Sequence, residues 1–104
     1  MNSENILEEI KTFIEDKCGI ARDRIKSESR IEKDLRITGD DAMELLVDFG
    51  KKFNVDVSKF MAADYFDGEG MNLLLPNFGK KELTVHHLVK AVTAGKLDES
   101  VINS

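Results

Sequence analysis

Between residues 40 and 53 the chain places apolar side chains at a helical interval. Ala42, Leu45, Leu46, Phe49 and Phe53 are separated by three, one, three and four positions. At about 100° per residue they share one face. Thr38, followed three residues later by Asp41, resembles a capping box, with Asp shorter than the usual Glu or Gln. Asp40 and Asp41 meet the positive pole of the helix, and Lys51 and Lys52 its negative pole. Asp40, Glu44 and Asp48, spaced by four, line the opposite face.

The same interval recurs twice. Ile6, Ile10, Phe13, Ile14 and Cys18 predict a first helix that starts after Ser3 and stops at Gly19. Val85, Leu88, Val89 and Val92 predict a last helix from Thr84 to Gly95. Residues 20–37 form a long charged connection whose anchors, Ile20, Ile25, Ile31, Leu35 and Ile37, should pin it to the bundle. Val55 and Val57 leave the second helix as extended chain. "SKFMAADYF" reads as a short helix capped by Ser58, "DGEG" as a loop, and "MNLLLPNFGKKELT" as a small hairpin or an irregular flap. The expected fold is all-α: three main helices plus a short one, with an extended irregular or hairpin insertion before the last helix. With 104 residues there is material for one core, expected over 1–97, with a frayed tail over 98–104.

Composition narrows function mostly by exclusion. A net charge of −5 disfavours nucleic acid and favours a basic protein surface. The longest apolar run, Leu73 to Leu75, is too short for a membrane span. "MNSENILEEIK" lacks a basic leader region, and Cys18 has no intrachain thiol partner, which together predict a cytoplasmic protein. Cys18 reads as core, because nothing near it in sequence would lower its pKa. His86 and His87 are adjacent and point about 100° apart on a helix, so no shared metal is expected. "DYFDGEG" lacks calcium-loop spacing, and no phosphate-binding glycine loop or supported Ser, His and acid grouping is present. The chain is not expected to be an enzyme.

The segment "IEKDLRITGDDAMELLVDFGKKF" resembles the acyl carrier protein family. Ile31, Asp34, Leu35, Glu44, Leu45 and Phe53 occupy the family's positions without a gap, and "LTVHHLVKAV" looks like its last helix. "DLRITGDDA", "DYF" and "LVKAVTAGKL" are also similar to short bacterial acyl-carrier-like proteins of unknown function. The resemblance implies an acyl-carrier-like helical bundle. It also sets the family's Asp-Ser-Leu on Thr38, Gly39 and Asp40, so glycine stands where the family's serine carries phosphopantetheine. The family's acids at the end of the second helix are replaced by Gly50, Lys51 and Lys52, and the connection from Phe53 to Thr84 is longer than the family's.

The expected function is therefore a non-acylated, acyl-carrier-like protein-binding module without a cofactor. Residues 32–48 carry six acids against two bases, a net of −4. Asp40, Asp41, Glu44 and Asp48, with Met43 and Val47 as apolar contacts, are the candidate docking residues. The partner class is a basic surface, and the resemblance points to an enzyme of acyl or polyketide metabolism. The alternative is a divergent carrier with phosphopantetheine on Thr38 or on a loop serine, Ser27 or Ser29.

Overall fold

The three apolar stripes become three helices packed around one another. The computed structural model describes residues 3–37, 39–60 and 82–103. In chain order, α1 is Ser3–Cys18, α2 is Gly39–Phe53, α3 is Val85–Ala94 and α4 is Glu99–Ile102, with a 3-10 turn at Arg22–Arg24. No strand is present among the described residues; extended chain pairs only at two isolated bridges, Arg30 with Thr84 and Asp56 with Lys96. The all-α expectation holds.

α1 packs against both α2 and α3, and α3 against α4. Ile6, Ile10 and Ile14 of α1 bury against Leu45 and Phe49 of α2 and Val85 and Leu88 of α3 in one apolar cluster. Between α1 and α2 the contact is aromatic. Phe13 meets Phe53 edge-on at 5.8 Å, and Phe49 lies 5.2 Å from Phe53 and 6.4 Å from Phe13. These separations are those at which aromatic rings attract beyond their buried area.

The long connection is held as its anchors predict. Ile25, Ile31, Leu35 and Ile37 are buried, and Ile20 packs on the edge of the core. Backbone bonds then tie this loop to the start of α3: Ile31 N–H donates to the Leu83 carbonyl at 2.8 Å, and Val85 N–H to that of Ser29 at 3.0 Å. The far end of α3 is tied in the same way, through Asp56 N–H to Gly95 O at 3.0 Å and Leu97 N–H to Asp56 O at 2.8 Å. α2 is thus fixed at its entry through the loop and at its exit through residues 55–57.

Two expectations need correction. The tail expected to fray from Asp98 is instead helical. The Asp98 carboxylate accepts Val101 N–H at 3.1 Å and caps α4, while Val101 and Ile102 are buried. Leu97, just before the cap, is buried as well, and a helix of four residues is too short for a period to stand out in the sequence. The second correction concerns Ser58, which does not cap a helix within the described chain. Ser58 and Lys59 form a turn in which Ser58 N–H donates to the Asp56 carboxylate at 2.9 Å and Phe60 N–H to the Val57 carbonyl at 3.1 Å. The remainder of that segment, and the hairpin or flap expected after it, lie outside the described residues.

α3 starts on a capping box. His87 N–H donates to Thr84 Oγ1 at 3.3 Å, and Thr84 N–H donates to His87 Nδ1 at 3.0 Å. The second bond exists only while Nδ1 is unprotonated. Half-burial, then the nearby Lys90 and His86, hold the His87 imidazole below its ordinary pKa. The unfolded chain therefore binds this proton more readily than the native one. Stability should be at its full value above about pH 6.5 and fall as pH drops through that value toward the lower native pKa. Urea midpoints between pH 7.5 and 5 should show this decline, and His87→Gln, which keeps an acceptor at the same position, should flatten it. An equal decline in the variant would assign the effect to another group.

Candidate protein-binding surface

α2 is buried on one face and carries the candidate residues on the other. Ala42, Leu45, Leu46 and Phe49 are essentially inaccessible. Met43 and Val47 lie on the outer side, 46% and 43% exposed, and are the exposed large hydrophobic residues among those described. Four residues apart, they form an apolar strip one helical turn long. Asp40, Asp41 and Glu44 are exposed around its N-terminal end. Among the described residues none of these three carboxylates takes part in an ion pair or hydrogen bond.

Asp48 differs from the other candidates. Its carboxylate pairs with the ammonium of Lys17, from the last turn of α1. Lys17 holds the Asp48 carboxyl below the usual range, and Asp48 in turn, with Glu44 contributing through space, raises the Lys17 pKa. Other acids of the 32–48 stretch are also engaged. Arg30 grips Asp34 with two bonds of 3.1 Å and reaches Glu82 at 3.0 Å, where Lys33 joins at 3.2 Å. The negative potential counted from sequence is thus concentrated on the first turns of α2. Nothing in the order of residues signals the Lys17 and Asp48 pair, since it arises only when α1 and α2 are packed.

A cleft of about 310 Å³ opens beside the start of α2, between Lys17 and Cys18 of α1, Leu35 to Ile37 of the loop, and Asp41 and Glu44. Arg36 stands on its wall with φ of 61°, a left-handed backbone that is uncommon for residues other than glycine. The cause is local: Leu35 and Ile37 on either side are both buried, and Ile37 N–H returns to the Ile31 carbonyl at 3.1 Å. Cys18 sits part-buried in this cleft, and burial pushes its thiol up, away from a reactive thiolate.

α2 opens at Gly39, which has no side chain to modify. Thr38 lies outside the described residues. Of the loop serines, Ser29 is buried, and its hydroxyl accepts Lys26 N–H at 3.0 Å. Ser27 is half-buried, and its carbonyl receives His86 N–H at 2.8 Å. Among the described residues no group of three His, Cys, Asp or Glu is arranged to hold a metal ion, and no helix is long and apolar enough to cross a membrane.

The model of a protein family of unknown function, DUF1493, matches residues 3–102. The chain belongs to that family. The match runs from the first residue of α1 to the last of α4, so every helix described above lies within it, the C-terminal one included. No curated protein and no solved structure matches the chain. Membership in DUF1493 brings no activity with it, and the chemistry of α2 has to carry the functional reading.

Proposed function

We propose that this chain is a non-acylated, acyl-carrier-like protein-binding module. It docks a basic protein surface against the exposed side of α2. The carrying observation is the coincidence on one helix of Met43 and Val47, exposed, with the exposed carboxylates Asp40, Asp41 and Glu44, which pair with no other described residue. An apolar strip with charge at its margin is the usual make-up of a contact surface: the strip supplies area removed from water, and the charges select and steer the partner. Gly39 at the helix start and the burial of Ser29 both support a module without a prosthetic group. The acyl-carrier resemblance makes an enzyme of acyl or polyketide metabolism the first partner class to test.

Reversing Asp40 and Glu44 together to Lys should weaken capture of native partners by at least an order of magnitude, since charge pairs at interfaces carry coupling of about 1.5 kcal/mol or more. Met43→Ala should weaken it less and without salt dependence. The measurement is quantitative pull-down at two ionic strengths, with the double reversal checked for helix content. Capture unaffected by the reversal would return these acids to the role of a solvated helix face.

A further inference from the structure

The docking surface is partly occupied by the chain itself. Lys17 projects from the last turn of α1 onto α2, pairs with Asp48 and stands near Glu44. It borders two adjoining depressions: the cleft it shares with Asp41 and Glu44, and a groove it shares with Phe13, Asp48 and Lys52. A cation in that position offers the α2 carboxylates what a basic partner would offer them. We propose that Lys17 is a built-in competitor for the docking face, so that a basic partner either displaces it from Asp48 or binds only at the N-terminal carboxylates.

The inference rests on the docking reading and adds its regulation. Displacement is physically accessible. The Lys17 side chain is 24% exposed and that of Asp48 44%, so the pair is open to water and to a competing cation. Exposed pairs of this kind are weak, and releasing one should alter affinity by roughly two- to fivefold. The competitor therefore tunes binding and does not block it. It also sets a polarity on the helix, with acids that pair with no described residue at the Gly39 end and one compensated acid, Asp48, further along, where Lys51 and Lys52 follow.

The test uses the full chain and a synthetic amphipathic helical peptide of leucine and lysine as probe, with binding followed by fluorescence anisotropy at low salt. Lys17→Met should tighten binding by roughly two- to fivefold, Lys17→Gln likewise, and Lys17→Arg, which keeps the pair, should change little. In an Asp48→Asn background the gain from Lys17→Met should disappear. Lys96→Met, which removes the same charge at the end of α3, should give a smaller gain. A gain that persists without Asp48, an equal gain from Lys96→Met, or no gain at all overturns the proposal. If Glu44→Lys also leaves the probe affinity unchanged, the docking reading itself fails. A Glu44→Lys loss combined with an inert Lys17→Met removes only the competitor.

Discussion

Phe49→Ala should destabilise the native state by about 3–5 kcal/mol, the range for removing a fully enclosed phenylalanine. Phe49 has no exposed surface and touches Phe13 of α1 and Phe53 of its own helix. Its loss deletes the buried area, both ring contacts and the seam that orients α2. Domains of this size are typically stable by about 5–15 kcal/mol, so the variant should unfold at much lower urea and approach instability when warmed. Met43→Ala, on the exposed side of the same helix, should stay within about 0.5 kcal/mol of the parent. Urea unfolding followed by far-UV circular dichroism distinguishes the two. Equal midpoints would mean that the α1 and α2 contact is not where the chain stores its stability.

The contrast between those two positions was legible before any coordinates. Helical period assigns Phe49 to the core and Met43 to the surface, because side chains three or four apart must share a face. The five anchors of the 20–37 connection were legible for a similar reason: isolated isoleucines and a leucine in a charged loop have nowhere else to go. What the order of residues hides is pairing across elements. Lys17 and Asp48 are 31 positions apart, and each looks like an ordinary solvated charge until α1 lies on α2. Of the six candidate docking residues, Asp48 alone pairs its carboxylate with another described residue, which sets it apart from Asp40, Asp41, Met43, Glu44 and Val47. α4 escaped notice because four residues give too few repeats to reveal a period.

Glycine at residue 50 has a steric basis. The acyl-carrier resemblance leads one to expect acids at the end of α2, and the chain has Gly50, Lys51 and Lys52. A Cβ at residue 50 would lie 2.8 Å from the Val55 carbonyl oxygen, closer than such contacts allow. That carbonyl is brought over the helix by the reversal at Asn54, whose φ is 56°, and by Val55 N–H bonding back to the Gly50 carbonyl at 2.9 Å. An acid, or any other side chain, at residue 50 would therefore force the backbone around Val55 to shift before electrostatics enters. Lys52 lies with its ammonium 5.9 Å from the Phe53 ring centroid, which keeps its charge at the surface over an apolar seam. A partner reading this end of α2 meets positive charge, and one reading the Gly39 end meets negative charge.

That polarity gives the glycine at the helix start its consequence. If the acyl-carrier register is correct, Gly39→Ser places a hydroxyl where that family attaches phosphopantetheine, beside the carboxylates Asp40 and Asp41. The substitution suits a helical residue, since serine is better than glycine by about 0.3–0.5 kcal/mol of intrinsic helix propensity. The bundle should keep its fold and its urea midpoint. Incubated with coenzyme A and a panel of phosphopantetheinyl transferases, the wild-type chain should keep its mass, and Gly39→Ser should gain one pantetheine group per chain. Intact-mass spectrometry reads this as present or absent. A stoichiometric adduct on the wild type would overturn the non-acylated reading and send the search to Thr38 or Ser27. A folded Gly39→Ser chain that no transferase accepts would count against the acyl-carrier register at this position and leave the docking reading to the charge-reversal test.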